Sequence, residues 1–308
     1  AGQPSDWFID GARASGLEFL HINGASGNYY YPEILPPGAG FLDYDNDGDL
    51  DACLAQGYPL DTENTRGPLT CFRNDLDRDS NDAQTLRFTD VTVAAGFVTP
   101  GFGLGMATGD VDNDGWIDLL VTTYGPVQLY RNNGDGTFSD ISSSSGLTAT
   151  VGFGVSAAFV DYDRDGWLDL YVGNETVGGV DGEAPRYPHP NQLFRNNRDG
   201  SFRPLAEEMG LQGRQGAQVL VYDLDADRDL DILVINTSPP HDIWRNDRTW
   251  KYESFPGLDS LRESELVAAT VIDADADGHA EIYAISTSGD LVAWRADGLS
   301  WHRDVVLA

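Results

Sequence analysis

Five acidic stretches hold the residues most able to do chemistry. The first is Asp43-Tyr44-Asp45-Asn46-Asp47-Gly48-Asp49-Leu50-Asp51. The second places Asp110, Asp112, Asp114, Gly115 and Asp118 at the same spacing, and the third Asp161, Asp163, Asp165, Gly166 and Asp169. The fourth has Asp223, Asp225, Asp227 and Asp231 with Arg228 in the glycine position; the fifth has Asp273, Asp275, Asp277, Gly278 and Glu281. Counting the first aspartate as position 1, carboxylates at positions 1, 3, 5 and 9 are expected to converge. Like charges a few ångströms apart repel strongly unless a cation sits among them. Hard, flexible oxygen ligands in this number favour Ca²⁺ over Mg²⁺. Glycine at position 6 permits the sharp turn. Position 7 varies (Asp49, Trp116, Trp167, Asp229, His279), as expected of a residue that offers only its backbone carbonyl.

An EF-hand opens in the same way but needs a carboxylate at position 12 and helical flanks. Position 12 of the first stretch is Leu54, and the flanks read as strands. Solvated acidic turns are the plain alternative for a single copy. Five copies in one strand context favour up to five Ca²⁺ sites, with the fourth the weakest because Arg228 brings a positive charge.

The elements that would position these loops repeat with them. A strand leads in (Gly40–Leu42, Met106–Thr108, Ala157–Val160, Val219–Tyr222, Ala269–Ile272). A second leads out (Ala52–Leu54, Leu119–Val121, Leu170–Val172, Ile232–Ile235, Ile282–Ile285). A third ends in Arg73-Asn74, Arg131-Asn132, Arg195-Asn196, Arg245-Asn246 or Trp294-Arg295. Turns such as Asn133-Gly134-Asp135-Gly136 then lead to a fourth, since Asn-Gly and Asp-Gly tolerate positive φ. The loops begin at residues 43, 110, 161, 223 and 273. Four short strands per repeat of this length predict an all-β fold, a β-propeller of four-stranded antiparallel blades. Five repeats are visible, with six or seven blades including degenerate members as the alternative. The expected organisation is one domain, 1–308. Residues 1–37 give an N-terminal closing strand and a lead-in loop, and the blades lie near 38–97, 98–147, 148–211, 212–258 and 259–308. The strand near Phe8 is expected to close the last blade, with the Trp301 segment as its competitor.

The 308 residues carry a formal charge of −31, which disfavours nucleic acid and anionic membranes as partners. No block of consecutive acids accounts for it, so much of the acidity belongs to the loops. No run of 18 apolar residues suggests a membrane span. The start at Ala1 without a leader fits a mature secreted chain, although an expression product would look the same. Cys53 and Cys71 fall in consecutive strands, where a cross-strand disulfide is reasonable and two buried thiols are the alternative.

The unit Asp-Xaa-Asp-Xaa-Asp-Gly-Xaa-Xaa-Asp-Leu, followed by Leu129-Tyr130-Arg131-Asn132-Asn133-Gly134-Asp135-Gly136-Thr137-Phe138, resembles the FG-GAP/VCBS repeat, which integrin α-chain propellers also carry. The opening His21-Ile22-Asn23-Gly24, through Tyr31-Pro32-Glu33-Ile34 into Phe41-Leu42-Asp43-Tyr44-Asp45, resembles the cartilage acidic protein/UnbV-type branch. This resemblance implies acidic loops on one face of a propeller, commonly of seven blades.

Fold does not fix function. The leading expectation is a non-catalytic, extracytoplasmic calcium-binding module (secreted, periplasmic or at a cell surface) that engages a protein partner or surface assembly, with structural metals. Two long loops, Gly57–Leu69 and Asn174–Asn191, project opposite the metals. Candidate binding residues on that face are Tyr58, Tyr124, Tyr187, His189 and His241. The alternatives are a lectin that holds glycans on aromatic side chains, and a sugar-active lyase or hydrolase. Five scattered histidines and no nucleophile motif give the enzyme reading no catalytic residues.

Overall fold

Each acidic loop joins two antiparallel strands, and each such hairpin grows into a four-stranded sheet. This is seen in a computed structural model that describes residues 10–60, 67–76, 86–149, 152–175, 190–211, 213, 216–248, 251–297 and 300–307. The first blade is β1 (Ala39–Leu42), β2 (Asp51–Ala55), β3 (Leu69–Asn74) and β4 (Phe88–Asp90). The second is β5 (Gly103–Gly109), β6 (Asp118–Gly125), β7 (Gln128–Asn132) and β8 (Phe138–Asp140). The third is β9 (Gly152–Val160), β10 (Asp169–Asn174), β11 (Gln192–Asn196) and β12 (Phe202–Pro204). The fourth is β13 (Gly216–Tyr222), β14 (Asp231–Asn236), β15 (Asp242–Asn246) and β16 (Tyr252–Ser254). The fifth is β17 (Leu266–Ile272), β18 (Glu281–Ser286), β19 (Leu291–Asp297) and β20 (Ser300–Leu307). The strands of each blade pair in sequence order. Among the described residues the fold is thus an all-β propeller with five four-stranded antiparallel blades. A short parallel pairing of Tyr124 and Gly125 with Gly152 and Phe153 fuses the second and third blades.

The second strand of each blade is apolar on both faces because a blade lies on either side of it. Successive side chains of a strand point to opposite faces. Leu119 and Val121 therefore join Cys53, Cys71, Phe97 and Tyr130 in the core between the first two blades, while Leu120 joins Leu129, Leu170 and Phe194 in the next. Ile232 and Val234 face the third blade, and Leu233 and Ile235 pack with Trp294 toward the fifth. Burying one such side chain stabilises by about 1.5–3 kcal/mol. Among the described residues, four cores of this kind serve five blades. The outer faces of the arc expose Phe41 at one end and Ile272, Ile285 and Leu307 at the other.

A turn after each outer strand hands the chain to the next blade. Its carbonyl accepts the next outer strand's first N–H: Ala95 O from Phe138 and Ser145 O from Phe202, both at 2.7 Å. Residues 11–17 repeat this turn ahead of the first blade, where Ser15 O accepts from Phe88 N at 2.6 Å. Gly16, Gly96 and Gly146 have φ of +85°, +94° and +80°, and a Cβ on any of them would meet a strand carbonyl at 3.0 Å or less.

Two outcomes concern the sequence expectations. The outer position of the fifth blade belongs to β20, which pairs with β19 along its length and includes Trp301. The segment that was the competitor for this position, around Trp301, thus supplies the fourth strand, and the expected strand near Phe8 lies outside the described residues. Cys53 and Cys71, directly opposite in β2 and β3, form the disulfide.

Candidate metal centre

Each loop is built on its own carboxylates. Asp43 accepts hydrogen bonds from Asp47 N at 3.0 Å and Gly48 N at 2.9 Å, and Asp47 Oδ1 accepts from Asp49 N at 2.8 Å. The second, third and fifth loops repeat the pattern. The turn needs two residues of left-handed backbone. Position 6 is one, with φ of +84° to +90° at the four glycines. Position 4 is the other: Asn46, Asn113, Arg164, Ala226 and Ala276 all lie between +56° and +60°. Arg228 takes the glycine conformation at +75°, and its N–H still reaches Asp223 Oδ2 at 2.8 Å. The fourth loop keeps its shape at a strain of about 1 kcal/mol.

In four loops the carboxylates of positions 1, 3 and 9 each bring an oxygen within 4.8 Å of the others. These are Asp43, Asp45 and Asp51; Asp110, Asp112 and Asp118; Asp161, Asp163 and Asp169; and Asp223, Asp225 and Asp231. In the fifth loop the group is Asp273, Asp275 and Asp277, without Glu281. Asp47, Asp114, Asp165 and Asp227 stand outside their groups, although position 5 was expected to converge with the rest. Asp45 Oδ1, Asp163 Oδ1 and Asp223 Oδ1 are buried with no hydrogen-bond donor. Buried acceptors without donors, grouped with further carboxylates, fit a hard divalent cation.

Position 9 is wired into the sheet. Asp51 Oδ2 accepts from Tyr44 N at 2.9 Å and Asp51 Oδ1 from Asn74 N at 2.8 Å. Asp118 accepts from Val111 N and Asn132 N, Asp169 from Tyr162 N and Asn196 N, and Asp231 from Leu224 N and Asn246 N. The asparagine side chains then cross to the preceding blade. Asn132 Nδ2 donates to Tyr44 O, Asn196 Nδ2 to Val111 O and Asn246 Nδ2 to Tyr162 O, each at 2.8 Å. A continuous hydrogen-bonded line therefore runs through Asp51, Asp118, Asp169 and Asp231. At loop tips Asn46 Nδ2 also reaches Gly115 O, and Asn113 Nδ2 reaches Gly166 O. The recurrence of Arg-Asn at the end of every third strand but the last was the visible signal for this wiring.

Burial governs the charge of these groups. It pushes the Asp51 carboxyl up to about 6, and those of Asp118, Asp169 and Asp231 up to about 7, although backbone N–H groups pull each back down. Asp45, Asp112 and Asp225 are raised by burial and then by neighbouring carboxylates. Arginines temper two loops. Arg195 Nη2 lies 2.6 Å from Asp163 Oδ2, and Arg198 Nη2 lies 2.5 Å from Asp165 Oδ2. Burial alone would raise Asp165, but these hydrogen bonds and charges take it below the usual range. Asp229, at position 7 of the fourth loop, is buried against Arg248 and reaches Arg164 Nε at 3.5 Å. Trp116 and Trp167 are half-buried, Asp49 is buried and His279 is exposed.

The expected binding face is partly corrected. His241 is fully buried: its Nδ1 accepts from Asn236 N at 3.1 Å and its Nε2 donates to Ser264 O at 2.9 Å. Burial lowers its pKa, so the ring is a neutral structural piece. A short connection and the Arg262 backbone enclose it, the latter through His241 N to Arg262 O at 2.8 Å. Tyr58 packs on Phe102 at 5.6 Å and Tyr124 stands edge-on to Phe153 at 5.0 Å, both around an apolar cluster under the lead-in loop. Tyr187 and His189 lie outside the described residues, as do residues 61–66 of the first long loop and 176–189 of the second.

Residues 110–172 and 181–234 match the family described as FG-GAP-like repeat. Cartilage acidic protein 1 of Xenopus tropicalis is 31% identical over 138 residues, 44% of this chain and 20% of that protein. Integrin alpha-7 of Mus musculus is 35% identical over 105 residues, 30% of this chain and 9% of that protein. The chain thus spans a fifth or less of these relatives. An Agrocybe aegerita lectin, described as recognising non-reducing terminal N-acetylglucosamine, superposes with a TM-score of 0.48 at 15% identity, over 89% of this chain and 66% of that one.

Proposed function

We propose that this chain of FG-GAP-like repeats is a calcium-stabilised, non-catalytic interaction module that works outside the cytosol. The observation that carries the reading is the convergence of the carboxylates at positions 1, 3 and 9, with buried oxygens that have no donor. Asp43, Asp45, Asp51 and their counterparts in the next three loops would hold the ions, with Asp273, Asp275 and Asp277 in the fifth. A bound Ca²⁺ supplies positive charge at the point where these side chains repel one another. The chain's own part is to hold the carboxylates in place through the backbone N–H groups of the loop and of the third strand. The disulfide and relatives named for cartilage and as an integrin support an extracellular setting, where calcium is plentiful.

The end of the propeller away from the acidic loops is the contact surface in this reading. There the lead-in loop exposes Leu20, Tyr29 and Ile34, apolar side chains that gain from being covered by a partner. The test is a calorimetric melt of calcium-saturated protein and of protein stripped by chelator, with metal content measured in both. A ligand bound only to the folded state stabilises it by mass action, so removal should lower the melting temperature by about 10 °C or more. Identical melting curves after verified metal loss would sink the structural role of the ions.

A further inference from the structure

Every core between two blades is made of two half-surfaces, one from the earlier blade and one from the later. The later blade faces back with the residue two before its acidic loop and the residue at position 8. Phe159, Val221 and Val271 pack on their cores from the first of these places, and Ile117 and Leu230 from the second. The earlier blade faces forward with the residue just before its loop and the residues at positions 2 and 13. Leu42 and Val160 do so from the first place, Tyr44, Val111, Tyr162 and Leu224 from position 2, and Ile235 from position 13. In the second to fourth blades the asparagine that ends the third strand then bonds the position-2 carbonyl of the earlier loop.

The two end blades each carry one of these halves without its counterpart. On the first blade the backward-facing residues are Phe41 and Leu50, which are 64% and 58% exposed. Asn74 holds the place of the linking asparagine, and among the described residues its Nδ2 reaches only Leu50 O, at 3.2 Å. On the fifth blade the forward-facing residues are Ile272, Ala274 and Ile285. Ile272 and Ile285 are 50% and 47% exposed. Ala274, at position 2, is exposed where Tyr44, Val111, Tyr162 and Leu224 are all buried. One end therefore offers a donor and apolar side chains facing back, and the other offers a carbonyl and apolar side chains facing forward.

We propose that the fifth blade of one copy docks on the first blade of a second copy, head to tail, and so repeats the contact that joins neighbouring blades within the chain. Phe41 and Leu50 of one copy cover Ile272 and Ile285 of the other, and Asn74 Nδ2 takes Ala274 O as Asn132 Nδ2 takes Tyr44 O. A second copy suits these surfaces better than an unrelated partner, because both halves of the interface are present on this one chain and the chain already uses that interface four times. Burial of apolar surface drives the contact, while the formal charge of −31 opposes it until salt screens the copies from one another. The two surfaces differ, so each docked copy keeps one end open, and association continues until a ring closes or a row of copies grows. The contact lies at the open edges of the arc, apart from the surface proposed above for a partner, and stands without it.

Sedimentation velocity in excess calcium, at a salt concentration that screens the charge of the copies, tests this by the mass of the species formed. The wild-type chain is expected to form species of two or more chains by about 100 μM. Phe41→Asp spoils the first-blade surface and Ile272→Asp the fifth-blade surface. Each variant alone is expected to associate about a hundredfold more weakly, because a charge is then buried in an apolar contact. Mixed in equal amounts, the two are expected to pair once through their intact surfaces and to stop at two chains. Ile285→Asp repeats the second variant at another position on the same face. All three side chains are exposed, and thermal melts check that each variant is folded. A wild-type chain that stays single up to about 100 μM, single variants that associate like the wild type, or a mixture of folded variants that stays monomeric would overturn the proposal. Loss of association in the Ile272→Asp protein but not in Phe41→Asp would overturn it too, since that result marks a symmetric contact between two fifth blades.

Discussion

The first four blades and the fifth share strands, turns and an acidic loop, yet they are tied to their neighbours differently. In the first four, the position-9 aspartate takes two backbone hydrogen bonds, one from the loop and one from the asparagine that ends the third strand. In the second to fourth, that asparagine also reaches back into the preceding loop. The fifth blade has Glu281 and Ala296 in these places, and of these links only Ala274 N to Glu281 at 2.9 Å is seen. A repeat can therefore keep its strands on apolar packing alone. Its acidic loop and its bond to the preceding loop depend on two further residues, an aspartate and an asparagine 14 to 27 positions apart in the chain.

The sharpest way to break the comparison is to remove the carboxylate. Asp118→Ala leaves the buried N–H groups of Val111 and Asn132 without an acceptor and should cost about 3–5 kcal/mol. Glu281→Ala should cost about 1–2 kcal/mol, because one such N–H is involved. Urea denaturation in excess calcium measures both, and equal losses would erase the distinction.

The asparagine comes next. Asn132→Ala uncovers Tyr44 O and Ile117 O and should cost about 2 kcal/mol. Ala296→Asn, which offers the fifth blade the missing donor, should gain up to about 1 kcal/mol in the same assay. A loss on Ala296→Asn would show that the fifth blade sits too far from Leu224 O to be joined in this way.

The smallest effect separates the fourth loop from the other four. Arg228→Gly should stabilise by about 0.5–1 kcal/mol, since glycine meets no steric penalty at φ +75°. A neutral or destabilising result, seen as an unchanged or lower denaturation midpoint, would mean that the arginine side chain contributes more than the strain removes.

Much of this was legible in the chain itself. Short, nearly continuous apolar runs on either side of a fixed acidic spacing located the strands, because a strand packed on both faces has little freedom in composition. Position 6 was legible because glycine is rarely used without need of its backbone. Position 4 was not, since asparagine, arginine and alanine all occupy it. The asparagine wiring joins residues more than 80 positions apart, so it depends on how one blade is set against the next. His241 looked like a surface residue because loop histidines usually are. Only the closeness of Arg262 and Ser264 encloses it. Phe8 and Trp301 head similar segments, and sequence does not rank two such candidates for one sheet edge; the pairing of β20 with β19 places the second of them.

The line from Asp51 to Asp231 passes through both backbone groups of single residues: Tyr44 gives its N–H to Asp51 and its carbonyl to Asn132, whose own N–H holds Asp118. A displacement of one carboxylate therefore moves the residue bonded to it, and through that residue the donor that steadies the next carboxylate. Were calcium to occupy these loops as proposed, ordering one would brace its neighbour, so that the first four sites would load with positive cooperativity and the fifth on its own.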